Sequence, residues 1–247
     1  MINYATVLYS EETMGFILAK KILQAHPHGF VGAIVEGKRG VGKSSYCIKV
    51  MKEIYQSIYD CNDDKAYEYA LKYIVFKLDD LIGLVRQARV KQQMIPVLTW
   101  DDAGVHGSNL QWFINMHGVQ HLRAVTDTIR TGVTGFVLNC PDKTGLLKNL
   151  RNYDDLTVQI IKSRGTTGKY NSYSRIARGY NQFKLPSGTV RIYKNFEDDY
   201  SCHLPNHIYE QYNTTRQSYL DEAILAIEDM KHKVGRPSKH DVEELDS

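Results

Sequence analysis

Runs of apolar residues separated by short polar breaks divide the chain into alternating strand-like and helix-like segments. Residues 11–25 carry Met14, Phe16, Ile17, Leu18, Ile22 and Leu23 at helical spacing, and His26-Pro27-His28-Gly29 ends that helix. Phe30 to Val35 is a continuous apolar run, the signature of a strand buried on both faces. A helix is predicted from Ser45 to about Tyr59, and a shorter one from Lys65 to Leu71 after Asn62-Asp63-Asp64. Tyr73 to Lys77 reads as a strand, Leu78 to Gln93 as an amphipathic helix, and Ile95 to Trp100 as a second buried strand. Residues 110–130 read as a helix broken near Gly118, followed by a strand from Gly135 to Asp142, a short helix from Thr144 to Asn149 and a strand from Leu156 to Ile161. Five strands alternating with helices predict an α/β fold, a parallel sheet with helices on both faces.

The pattern changes at Lys162. Glycines and the Lys184-Leu185-Pro186-Ser187-Gly188 turn separate two alternating stretches, Tyr173 to Phe183 and Thr189 to Phe196, which predict an antiparallel hairpin. One long helix follows from Leu204 to about Lys231, and the polar tail from Lys233 is expected to be disordered. The expected organisation is a core over residues 1–162, a basic hairpin and helix packed on it over 163–231, and a charged tail over 232–247.

At 247 residues the chain can bury a substantial core. Met1 to Ser10 has no signal-peptide pattern, and no apolar run reaches the ~18 residues of a membrane span, so no membrane partner and a cytoplasmic location are expected. Four scattered cysteines fit free thiols in a reducing compartment. The net charge of +3 matters less than where the charge sits.

The chemistry lies between the first strand and the helix after it. Gly37-Lys38-Arg39-Gly40-Val41-Gly42-Lys43-Ser44 is a complete phosphate-binding loop, GxxxxGK[ST], in the strand–loop–helix context that the motif requires. Its glycines free the backbone N–H groups, with those of Ser44 and Ser45 at the helix start, to face phosphates. Lys43 would bridge the β- and γ-phosphates of ATP, and the Ser44 hydroxyl would hold Mg²⁺. The second buried strand ends in Asp101-Asp102, a Walker B pattern. Asp101 would reach the Mg²⁺ through its water shell, and Asp102 resembles the acidic residue that, in the additional-strand division of P-loop ATPases, polarises the attacking water. GTP is disfavoured, because Asn139-Cys140-Pro141-Asp142 has Cys where guanine recognition needs Lys. His117 and His121 stand four apart on a helix, and Cys202, His203 and His207 lie near one another in sequence. Neither set has the further ligands of a metal site.

These motifs, with Lys49 to Gln56, Asp101-Asp102-Ala103-Gly104, Ile129-Arg130, Leu185-Pro186 and Leu204-Pro205, resemble the DnaA-like ATPases of spindle-shaped viruses of hot-spring archaea. That family lies within the additional-strand division of P-loop ATPases, which also holds AAA+ proteins. The resemblance spans roughly residues 15–230. It implies a sheet of order 5-1-4-3-2, ring or filament assembly on DNA, and an arginine finger from a neighbouring subunit. Arg151 matches the finger position, with Arg130 as its competitor, and Asn139 matches the sensor that orients the lytic water. No helical lid of AAA+ length follows the fifth strand, so a motor-type or toxin-secretion-type relative is the alternative.

Residues 156–196 contain Lys162, Arg164, Lys169, Arg175, Arg178, Lys184, Arg191 and Lys194 with no Asp or Glu, interleaved with tyrosines and phenylalanines. A single-sign field with aromatic faces suits nucleic acid, and DNA is the expected partner. The alternative is a solubilising hairpin, or one that docks on an acidic neighbour. Gly235-Arg236-Pro237 in the tail resembles a minor-groove AT-hook core.

Overall fold

The computed structural model describes residues 15–103, 128–146, 156–163, 173–187 and 189–233. These carry α1 (Ile17–Ala25), β1 (Val31–Glu36), α2 (Lys43–Tyr59), α3 (Asp63–Lys72), β2 (Ile74–Val75), α4 (Leu78–Val90), β3 (Ile95–Trp100), β4 (Val133–Cys140), β5 (Leu156–Lys162), β6 (Ser174–Lys184), β7 (Val190–Ser201) and α5 (Asn206–Lys233). Residues 1–203 and 204–247 form two compact units. Among the described residues no helix is long and apolar enough to cross a membrane.

The seven strands form one sheet in the order β2-β3-β4-β1-β5-β6-β7. Its first five strands are parallel and keep the 5-1-4-3-2 order. Strands β6 and β7 continue the sheet beyond β5 as an antiparallel hairpin. The continuous apolar runs of β1, β3 and β4 follow from this placement, since both of their faces are covered. Ala33, Val35, Val97, Val137, Val158 and Ile160 pack under Leu18, Ile22, Met51 and Ile54 of α1 and α2. Ile34, Leu98, Trp100, Phe136 and Leu138, one residue out of phase, pack against Leu81, Val85 and Ala88 of α4. Asn62 caps α3 by accepting from the Lys65 N–H at 2.9 Å, with Asp63 and Asp64 in the first turn.

Strand β2 is two residues long where five were expected, and β7 runs five residues past its expected end. The extension passes through Glu197-Asp198-Asp199, beyond the expected end at Phe196. In the fold Phe196, Asp198 and Tyr200 alternate inward with exposed neighbours. Asp198 is 5% exposed and accepts hydrogen bonds from the Ile17 N–H (3.2 and 3.3 Å to its two oxygens) and the Tyr46 hydroxyl (3.4 Å). The carboxylate thereby serves the otherwise unpaired first turn of α1.

Burial lifts the Asp198 pKa to about 6, against the opposing pull of those two hydrogen bonds and of Lys20, with Asp199 adding to the rise. The folded state therefore holds the proton more tightly than the unfolded chain. The stabilisation from protonation is full below about pH 4 and is lost as pH rises through about 6. Asp198→Asn, which keeps an acceptor and cannot ionise, is expected to flatten that dependence. Thermal melts from pH 4 to 7 check it: the gap between variant and wild type should change across the range, and a constant gap would contradict the assignment.

Candidate functional site

Register brings the motif residues together before any side chain is considered. Val35 of β1 lies level with Asn139 of β4, and Trp100 of β3 lies level with Leu138. Asp101, one residue beyond Trp100, therefore comes level with Asn139, beside the loop that leaves β1 at Glu36. The loop needs its glycines. Gly37 has φ +151, and a Cβ there would stand 2.7 Å from the Ile160 carbonyl oxygen. Gly42 has φ +99, and a Cβ there would stand 2.7 Å from Cβ of Cys202. Val41 is buried under the loop, whereas Lys38, Arg39 and Gly40 are exposed. Ser45 follows in the first turn of α2.

Lys43, the first residue of α2, folds back over the loop, donating to the carbonyl oxygens of Gly37 (3.0 Å) and Lys38 (3.3 Å). It is 9% exposed. Burial lowers its pKa, opposed chiefly by the charges of Asp102 and Asp101. An anion at the loop would relieve that cost, because it returns to a desolvated ammonium the counter-charge that water no longer screens.

The Ser44 hydroxyl donates to Asp101 Oδ1 at 3.2 Å. Asn139 Nδ2 donates to the Ser44 Oγ at 3.1 Å and also to Asp101 Oδ1. The Asn139 Oδ1 is buried and has no hydrogen-bond partner among the described residues. A hydroxyl, a carboxylate 1% exposed and an unused amide oxygen form a donor set of hard oxygens. That set fits a Mg²⁺ ion with its water shell.

Asp102 turns away from Asp101 with φ +49, while its N–H donates to Asp101 Oδ1 at 2.9 Å. Asp tolerates this left-handed conformation better than most residues. The two carboxylates are thus separated by backbone geometry, one in the oxygen cluster and the other beside Lys43.

The hairpin holds the same loop from its other side. Arg175 Nε donates to the Val41 carbonyl at 2.5 Å, and its Nη1 donates to the Ser174 carbonyl at 2.8 Å. The Tyr200 hydroxyl donates to the Gly42 carbonyl at 3.0 Å, and its ring packs 5.3 Å from that of Tyr46. Sequence reading did not single out Tyr200, although its period-2 spacing from Phe196 and Asp198 carries the signal. Arg175→Ala removes a hydrogen bond from a charged donor, worth about 1.5–3 kcal/mol. Differential scanning calorimetry should show a Tm fall of roughly 3–12 °C for a domain of this size. Tyr200→Phe keeps the ring and should lose less.

This contact corrects one expectation directly. Arg175 is 5% exposed and serves the phosphate-binding loop, so it is not a solvent-facing contact for DNA. Among the described residues, the other basic side chains are spread along the length of the hairpin. Lys162 is exposed and pairs in register with Arg175, at the phosphate-loop end of the sheet. Arg178 and Lys194 both donate to Glu197, at 2.9 and 2.5 Å, a partner just beyond the stretch read as free of acids. Arg191 is exposed near the hairpin turn, where the backbone of Lys184 also lies. Arg130 is exposed. Arg151, Arg164, Lys169, His117, His121 and the Gly235-Arg236-Pro237 tail lie outside the described residues.

No family model matches the chain. It is 28% identical over 228 residues to uncharacterized protein B-251 of Sulfolobus spindle-shape virus 1, across 90% of this chain and 89% of that protein. Among solved structures it is similar to B204, the DNA-packaging ATPase of Sulfolobus turreted icosahedral virus. That match has 15% identity and a TM-score of 0.38, over 67% of this chain and 98% of the other. It is also similar to the N-terminal domain of zonular occludens toxin from Neisseria meningitidis, at 14% identity and a TM-score of 0.38, over 74% and 98%. The chain is thus similar along nine-tenths of its length to a spindle-shape virus protein, and its loop, sheet order and paired carboxylates make the fold that of a P-loop nucleoside triphosphatase.

Proposed function

We propose that this chain is an ATP-binding and ATP-hydrolysing viral protein that works on DNA in the host cytoplasm, in replication initiation or DNA remodelling of a DnaA-like kind. The observation that carries the reading is the convergence of Lys43, Ser44, Asp101 and Asn139 within hydrogen-bond reach around one phosphate-binding loop. The backbone of the loop and the N-terminus of α2 receive the phosphates, and the Lys43 ammonium moves from the Gly37 and Lys38 carbonyls to the β- and γ-oxygens. Ser44 and Asp101 would hold Mg²⁺, which when bound neutralises the charge that develops on the transferring phosphoryl group. Asp102 accepts a hydrogen bond from the attacking water and orients it, and the free Asn139 Oδ1 gives that water a second anchor. Assembly into a ring or filament would bring an arginine finger, Arg151 or Arg130, from the next subunit.

Steady-state phosphate release with ATP, with and without DNA, tests the reading. Multiple turnovers that DNA accelerates support it. Release of less than one phosphate per chain with DNA bound instead identifies a nucleotide-gated scaffold. Displacement of a triplex-forming strand distinguishes a packaging or translocation motor, which strips the third strand, from a remodelling protein, which does not.

A further inference from the structure

Among the described strands, the outer rungs of the hairpin pair only with each other. Strand β5 ends its pairing with β6 at Tyr180, yet β6 and β7 remain paired for four more rungs, from Asn181–Tyr193 to Lys184–Val190. At the antiparallel rise of ~3.4 Å per residue, Phe183 lies roughly 27 Å along β6 from Arg175. The arm therefore projects from the end of the sheet opposite the phosphate-binding loop.

A bulge decides what the arm presents. Gly179 faces Phe196 but Tyr180 faces Lys194, so Asn195 is an extra residue in β7. Inside the bulge, even-numbered residues of β7 face the core under α1 and α2. Beyond it the parity is reversed, and Tyr193 and Arg191 share that face with Asn181 and Phe183. Unbroken register from Gly179–Phe196 would instead set Lys194 and Ile192 opposite Asn181 and Phe183. Phe183 and Tyr193 are 55% and 49% exposed, and their rings meet edge to face at 5.8 Å between centroids. Arg191 is the direct cross-strand partner of Phe183. From Gly179 to Asn195 the chain contains Lys184, Arg191 and Lys194 and no acidic residue.

We propose that the Asn181–Phe183–Arg191–Tyr193 face is a stacking platform for unpaired bases of a single-stranded nucleic acid. The inference rests on the reading of this chain as a nucleic-acid-handling protein and narrows it to the strand state that is bound. Two exposed rings beside a guanidinium offer π-faces that every unpaired base can meet, while the cations hold the phosphates. Duplex DNA keeps its bases stacked on one another and leaves the rings without a partner. The amide of Asn181 sits at the inner edge of the platform, within the same rung as Tyr193.

Fluorescence anisotropy of the full chain with labelled oligo-dT, oligo-U and a duplex of equal length tests this. Phe183→Ala/Tyr193→Ala, changed at two exposed positions, should weaken oligo-dT binding at least tenfold and duplex binding less than twofold. Tyr193→Phe should bind oligo-dT as wild type does, because the ring is what stacks. Arg191→Ala should lower the log–log salt slope by about 0.7 on single strands. Comparison of oligo-dT with oligo-U identifies whether a DNA or an RNA single strand is preferred. An equal loss on duplex and single strand, or no loss, overturns the platform while leaving DNA binding by the chain intact. Loss of self-association by light scattering, with nucleic-acid affinity unchanged, assigns the face to a contact between copies and also overturns it. A wild-type chain that binds none of the three probes overturns the nucleic-acid reading itself.

Discussion

Lys43→Ala is expected to abolish ATP binding, and with it all turnover. The ammonium lies at the loop in a buried position, and its present partners are two backbone carbonyls that it can leave when phosphate arrives. Each charge-assisted hydrogen bond to a phosphate oxygen is worth about 1.5–3 kcal/mol, so two such bonds correspond to roughly 10²–10⁴ in affinity. The folded chain should tolerate the change, because the cation's own burial disfavours its charge and the buried Asp101, which loses part of its counter-charge, keeps its hydrogen bonds from Ser44, Asn139 and the Asp102 N–H. Isothermal titration with ATP and Mg²⁺, alongside a phosphate-release assay, reads both consequences. Equal ATPase rates in wild type and Lys43→Ala would place any hydrolysis elsewhere.

Asp102→Asn should separate chemistry from binding. Most substitutions at this position would confound the two, since the residue has φ +49 and a side chain that dislikes that region would shift the end of β3. Asn accepts the left-handed conformation as readily as Asp and has the same shape. Its N–H would still donate to Asp101, so the Ser44–Asp101–Asn139 cluster should stay in place. What changes is the ability to take charge from the attacking water, a contribution of typically 10²–10⁴ in rate. ATP affinity should be equal or slightly higher, because one negative charge near the phosphates is gone. An unaltered turnover number in the variant would remove Asp102 from the chemistry.

The parts of this site that were legible in the sequence are those written in local pattern. The phosphate-binding loop is eight contiguous residues, and the β3 carboxylates follow an apolar run that only a central strand explains. The strand order followed from the resemblance and not from periodicity, which cannot rank neighbours in a sheet. Asn139 was placed by the same resemblance, and the register of β4 against β1 and β3 brings it to Ser44 and Asp101. Arg175 and Tyr200 were not legible as loop contacts, because their partners are backbone carbonyls more than 130 residues away. Composition assigned Arg175 to a basic surface, whereas its cross-strand position sends it inward. Asp198 shows the converse: the expected strand stopped at Phe196, while strand alternation continues and buries the middle one of three acidic residues. In each case the information lies in pairing between strands, which single-chain patterns do not carry.

The hairpin that holds Val41 and Gly42 at its root is the same ribbon that carries the projecting arm at its tip. The outer rungs form a two-stranded cantilever whose mounting is the sheet edge at β5, beside the phosphate-binding loop. A pull on Phe183 would be borne along the nine cross-strand rungs from Phe183–Arg191 to Arg175–Tyr200, whose side chains hold the carbonyls of Val41 and Gly42. By the same linkage, phosphate seated at the loop would act on the footing on which the arm stands. Load and fuel would then meet in a single mechanical part.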